Sequence, residues 1–249
     1  MAHDQKSGGY DPTGNEEILT NFELPIMLVV DNSYSMEGDP IGQVNDGARR
    51  VLEFLQNDLN DSKTQPKFAC LAFSDEAIWI NGQNPYIDAK SYVWHDINVV
   101  AGTKFGKACE ELHKILLPKN EGGWLAGRKN CLKPVIIVMS DGQSEEYKSK
   151  LDVLKKRGWY KKAIKFGIAI GSHADKNMLV NFTGNPEYVY DTDHFKNRIS
   201  DIIKIIVQQS SVVSTTVDTD DDDANKIAAQ NISANLNGAP GLGSGDEQP

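Results

Sequence analysis

The chain has 249 residues, a length that fits one α/β domain with trimmings better than two independent domains. Its 39% hydrophobic content is enough for a complete core. The formal charge is −9, with seven acidic residues and one lysine from Gln209 onward, so the body before it is near balance and lacks the basic face that nucleic-acid binding requires. Cys70, Cys109 and Cys131 match no metal-ligand spacing and read as reduced thiols of a reducing compartment. The opening MAHDQKSGGY is polar throughout, unlike a secretory signal, and no apolar stretch is long enough to span a bilayer. A cytoplasmic protein without membrane insertion is the expectation.

Residues 1–22 are polar and read as a flexible arm. Residues 24–31, LPIMLVVD, form a continuous apolar run with β-branched residues, the pattern of a strand buried on both faces. After the polar loop NSYSMEGDP, apolar residues recur with helical period from Ile41 to Leu59, with Asp39-Pro40 as a start signal. Residues 67–73 and 77–80 read as a second buried strand and a short third one. Weak structure then runs to Gly102. Residues 104–117 are helical by period, 118–132 a loop, and 134–141, PVIIVMSD, the clearest strand in the chain. A helix over 144–157, a strand over 162–170, a short helix near 174–182, a small strand at 187–190 and a helix at 194–208 complete the pattern. Strands alternating with helices predict a Rossmann-like, doubly wound, mostly parallel sheet flanked by helices, occupying residues 23–208. Residues 209–249 are acidic and poor in apolar side chains, which predicts a mostly disordered tail, with a short helix around 224–236 as an option.

The chemistry concentrates at strand ends. The first strand ends in Asp31-Asn32-Ser33-Tyr34-Ser35, the strong strand in Ser140-Asp141-Gly142, and Gly102-Thr103 opens a helix between them. In doubly wound sheets ligands bind outside the carboxyl ends of the strands, where strand order reverses. If the two Asp-ended strands are neighbours there, Asp31, Ser33, Ser35, Thr103 and Asp141 meet in one crevice. Two carboxylates and three hydroxyls suit a hard cation: Mg²⁺, with Mn²⁺ or Ca²⁺ as alternatives. Neutral hydroxyl ligands leave residual positive charge on such an ion, and an open position attracts a carboxylate.

Here the chain resembles the von Willebrand factor A (VWA) family. Asp31-x-Ser33-x-Ser35, with Thr103 and Asp141 in the later positions, is similar to its metal-ion-dependent adhesion site (MIDAS) over about residues 22–208. The resemblance implies that Ser33, Ser35 and in some members Thr103 touch the metal. It also implies that Asp31 and Asp141 act directly or through water, and that a partner's Asp or Glu completes the shell. LPIMLVVDNSYSMEGDPI looks most like the TerY-type proteins of bacterial tellurite-resistance and stress clusters. That implies a cytoplasmic scaffold or sensor beside a kinase, phosphatase or other Ter-type protein. Tyr34 departs from the usual Gly, which permits positive φ and close approach.

Other features read plainly. Ser74, Asp75 and Glu76 follow the second strand on the same edge and read as a solvated loop, with support behind the metal ligands as the alternative; the five histidines lack zinc spacing, and Trp124 and Trp159 read as local packing, with interface anchors as the alternative. The run Thr215 to Asp220 solvates the tail. Sharper readings are that one of its carboxylates reaches the metal in cis, or that Thr215, Thr216 or Thr219 is phosphorylated. The reading is a binding module, not an enzyme. The rivals are a metal-dependent phosphohydrolase, disfavoured because no second Asp follows Asp31 for acid/base work and no phosphate loop is present, and a structural domain with an idle site.

Overall fold

A computed structural model describes residues 22–59, 64–82, 86–125, 130–142, 144, 146–172, 174–192, 199–215 and 221–238. Of the arm expected at 1–22, residues 1–21 lie outside the described residues, as do Thr216, Thr219 and the stretch 239–249, while Phe22 opens the first strand.

A seven-stranded sheet forms the centre: β1 (Phe22–Asp31), β2 (Thr64–Phe73), β3 (Ala77–Trp79), β4 (Ile87–Asp88), β5 (Val135–Ser140), β6 (Ile164–Ala169) and β7 (Val189–Asp191). Its order is β3-β2-β1-β5-β6-β7, with β4 pairing on β2. All strands are parallel except β3 and β4, which run antiparallel to β2. The doubly wound architecture expected from the alternation of strands and helices is the one observed.

The continuous apolar runs explain which strands sit centrally. On β1, Leu24, Ile26, Leu28 and Val30 enter one core while Met27 and Val29 enter the other. Such two-sided burial is what a central parallel strand requires. The first core is closed by α1 (Asp39–Asn57) and α6 (Ile199–Thr215). The second is closed by α2 (Phe105–Ile115), α3 (Lys148–Leu154), α4 (Gly158–Lys162) and α5 (Asn177–Thr183). Helix α1 starts at Asp39 with Pro in its first turn, where the missing N–H is no loss. Trp124 packs locally, its ring 5.0 Å from Trp79.

The chain departs from expectation after residue 208. Helix α6 continues to Thr215, and Ser210 is fully buried. A further helix, α7 (Asp221–Gly238), seats Ala228, Ala229 and Ile232 in the α1/α6 core. Its buried Asn225 accepts the Lys165 N–H at 2.9 Å and donates to the Ala163 carbonyl at 3.3 Å. Neighbouring β7 pairs with β6 only from Gly167 onward, so the Asn225 amide serves backbone groups that the sheet leaves over. Helices thus cover 209–215 and 221–238, more than the short helix expected around 224–236. Composition hid this, because three small or aliphatic residues on one helical face suffice once an asparagine replaces a missing strand.

Candidate functional site

The chain crosses from β2 back past β1 to β5, so strand order reverses between β1 and β5. Register pairs Val30 with Met139, which sets Asp31 beside Ser140 at the carboxyl ends of two neighbouring strands. The condition for a shared crevice is thus met.

Asp31 is fully buried, and both its oxygens are engaged. Oδ1 accepts the Ser33 N–H at 2.9 Å, and Oδ2 accepts the Ser140 hydroxyl at 2.5 Å. Ser140 Oγ in turn accepts the Gly142 N–H at 2.8 Å, so one hydroxyl ties β1 to the turn that carries Asp141. Burial pushes the Asp31 carboxyl above its ordinary range and the Asp141 charge adds to the rise, while the hydrogen bonds from Ser140 and Ser33 oppose it.

After β1 the chain makes a 3-10 turn, Tyr34–Met36, closed by the Met36 N–H on the Ser33 carbonyl at 3.0 Å. Met36 is fully buried and fixes this turn to the core, leaving Ser35 and Tyr34 exposed on its outer side. Ser33 Oγ and Ser35 Oγ lie 3.0 Å apart. The phenol of Tyr34 is hydrogen bonded to Glu37, which raises its pKa.

The Asp141 turn is rigid by construction. Gly142 has φ +81°, and a Cβ there would sit 1.6 Å from the Asp175 carbonyl oxygen. The Asp175 N–H also donates to the Asp141 carbonyl at 2.7 Å. Only glycine fits both the left-handed backbone and the close approach.

The Thr103 segment is stretched across the same edge. The Val100 N–H donates to the Asn32 carbonyl at 2.7 Å and the Lys104 N–H to the Ser74 carbonyl at 2.7 Å, so both flanks hang from the ends of β1 and β2. Gly102, at φ +91°, passes so close to Asp75 that a Cβ would meet its carboxylate at 2.2 Å. Ser144 supplies the cap that α2 lacks locally: its Oγ accepts the Phe105 N–H at 3.0 Å and donates to the Thr103 carbonyl at 3.2 Å. Among the described residues the Thr103 hydroxyl is joined to none of the other site residues by a hydrogen bond. Asp31, Ser33 and Ser35 are thus directly linked, Asp141 is tied in through the Ser140–Gly142 turn, and Thr103 is placed by its backbone.

Two positioning residues escape a sequence reading. Ser140 and Ser144 are single serines at a strand end and in a loop, without a signature of their own. Ser74, expected in a solvated loop, is buried and holds the Thr103 segment through its carbonyl. Asp75 and Glu76 pair with Lys104 and Lys107 at 3.0 and 3.1 Å, fastening the same segment.

The arrangement fits a hard cation. Adjacent vertices of an octahedron with bonds of about 2.1 Å lie about 3 Å apart, the separation of the two serine hydroxyls. Among the described residues the buried Asn32 Oδ1, in the residue after Asp31, has no hydrogen-bond partner, as expected of an acceptor left for a bound water or ion. Among the described residues no group of three or more His, Cys, Asp or Glu is placed to hold a metal. The donors gathered here are hydroxyl and carboxylate oxygens.

A family model for the von Willebrand factor type A domain matches residues 26–205. The chain belongs to that family. Among solved structures it is similar to proximal thread matrix protein 1 from the mussel byssus, at 19% identity and a TM-score of 0.54, over 76% of this chain and 48% of that one. Another structure of the mussel protein, with a zinc-occupied MIDAS motif, aligns at 20% identity and a TM-score of 0.51, over 76% and 46% of the two chains. The ArnB paralog VWA2 from Sulfolobus acidocaldarius aligns at 15% identity and a TM-score of 0.51, over 76% and 45%. This VWA chain spans less than half the length of each of these structures. Comparison with curated proteins gives no match. No helix among the described residues is long and apolar enough to cross a membrane.

Proposed function

We propose that this VWA domain is a metal-dependent protein-interaction module, not an enzyme, which captures an acidic residue of a partner through a divalent cation held by Asp31, Ser33, Ser35, Thr103 and Asp141. The observation that carries this reading is the oxygen cluster at the switch point: a buried Asp31, with Ser33 and Ser35 hydroxyls 3.0 Å apart and Ser35 open to solvent. The zinc-occupied MIDAS of the mussel protein supports it by analogy of fold.

When bound, the cation supplies a Lewis-acidic position that draws a carboxylate. The chain's own residues do the rest. Ser140 and the Ser33 N–H hold the Asp31 carboxylate in one orientation. The Gly142 turn fixes Asp141, and Ser33 and Ser35 contribute neutral oxygens that leave positive charge uncompensated. With its hydroxyl donors, the site favours Mg²⁺, with Mn²⁺ or Ca²⁺ as alternatives. Resemblance of the first strand and its loop to TerY-type proteins supports a finer reading. In it the module works in the bacterial cytoplasm, in a tellurite or chemical-stress system, with a kinase, phosphatase or other Ter-type protein as partner.

Titration calorimetry with Mg²⁺ tests the proposal. Saturable binding by the intact chain and none by Asp31→Ala is the expected result. Equal heats from both proteins would overturn it.

A further inference from the structure

Tyr34 stands between the two serines of the oxygen site. It is 67% exposed, more than any other large hydrophobic side chain among the described residues. An aromatic ring left in water beside a ligand site is the usual material of an interaction surface. The Tyr34 phenol donates to the Glu37 carboxylate, and the Glu37 N–H donates to the Tyr34 carbonyl at 3.1 Å. Ring and carboxylate are therefore held together on one turn.

Charge on this rim is one-sided. Glu37 and Asp39 are exposed, and neither has an ion pair among the described residues. The cations of the Thr103 segment are taken, Lys104 by Asp75 and Lys107 by Glu76. Asn32, two residues before Tyr34, marks the same place as a ligand site. Its Nδ2 donates to the Asn98 carbonyl at 2.9 Å, and its Oδ1, in a side chain only 8% exposed, is left over among the described residues.

We infer, on the strength of the metal-dependent capture proposed above, that the partner segment carries an arginine beside its captured acidic residue, and that Tyr34 and Glu37 receive that arginine. A guanidinium is planar, stacks on an aromatic face and pairs with a carboxylate in one pose. Lysine meets Glu37 only as a point charge. An apolar flank finds Val100, which is 52% exposed and donates its N–H to the Asn32 carbonyl at 2.7 Å. It would also strip water from the Glu37 carboxylate and put nothing in its place. A second acid on the flank meets Glu37 and Asp39 as like charges. The rim thus selects one acid beside one arginine and turns away a run of acids.

Peptide titrations of the ¹⁵N-labelled full chain at saturating Mg²⁺ test this. Three end-capped peptides of equal length differ only in the residues on both sides of one central Glu, which are Arg, Leu or Glu. The Arg-flanked peptide should bind about fivefold or more tightly than the Leu-flanked one, and the Glu-flanked one least. The amides of Tyr34, Ser35 and Glu37 should move with it. Chelating Mg²⁺ should abolish the binding, which separates it from general attraction of a cationic peptide to an acidic chain. Tyr34→Ala should cut the preference for Arg about threefold, and Glu37→Arg should shift it to the Glu-flanked peptide. Equal Mg²⁺-dependent affinities for all three peptides overturn the inference and leave the metal-dependent capture standing. So does a preference of the wild-type chain for Leu or Glu, or a preference for Arg that both variants keep. A Mg²⁺-loaded chain that binds none of the three overturns the capture itself and this inference with it.

Discussion

Asn225→Ala asks whether α7 is part of the folding unit. The side chain replaces a sheet partner at the start of β6, accepting the Lys165 N–H at 2.9 Å and donating to Ala163 at 3.3 Å, at a site 5% exposed. Alanine removes both bonds and leaves buried backbone groups without those partners, a cost of about 1–3 kcal/mol. For a domain of this size each kcal/mol lowers the thermal midpoint by about 2–4 °C, so a drop of about 2–12 °C is expected. Thermal and urea unfolding, followed by far-UV circular dichroism and by tryptophan fluorescence, should report the same loss, because α7 shares its core with α1 and α6. Unchanged stability would refute the reasoning, as would an early separate transition with the main one unmoved. Either would mean that α7 is not docked and that the domain ends near residue 208 after all.

Three further outcomes follow from the geometry. Gly142→Ala forces a left-handed backbone and a clash with the Asp175 carbonyl; it should cost at least about 1–2 kcal/mol in urea unfolding and weaken Mg²⁺ binding. Asp31→Asn removes a buried charge that faces Asp141. The metal-free variant should be more stable than wild type, on the order of 1 kcal/mol, while only wild type gains stability with Mg²⁺, about 2.7 kcal/mol at one hundred times Kd. Burial pushes the Cys70 and Cys109 thiols far above their ordinary range, whereas Cys131 is half-buried. A maleimide should therefore label Cys131 alone in the native protein and all three cysteines in denaturant.

Much of the fold was legible because its central strands are buried on both faces. Leu24 to Val30 and Val135 to Met139 leave no position for a polar side chain, and a period-free apolar run bounded by Asp is hard to mistake. The helices were legible by period where one face is apolar, as in α1 and α2. Helix α4 was not, since five residues, Gly158–Lys162, are too few to show a period. Helix α7 shows weakly in the sequence because Asp, Asn and Gly dilute its buried stripe of Asn225, Ala228, Ala229 and Ile232. Lys165 also runs against the pattern: a lysine in a central strand position, buried, with its ammonium on the Tyr160 and Ala163 carbonyls at 3.1 and 2.6 Å. At the site, the spacing of Asp31, Ser33 and Ser35 was readable from one segment. The roles of Ser140 and Ser144 were not, because they depend on which strands are neighbours.

The proposed function stands on one cation site built from these oxygen donors. The most direct measurement is a Mg²⁺ titration of ¹⁵N-labelled protein, following the backbone amides of Ser33, Ser35, Thr103 and Gly142. All four should move together and saturate at one affinity, with amides of α7 and β7 unmoved and no response in Asp31→Ala. Amides that stay in place with Mg²⁺, Mn²⁺ and Ca²⁺, or shifts confined to the acidic residues of α7, would contradict the account.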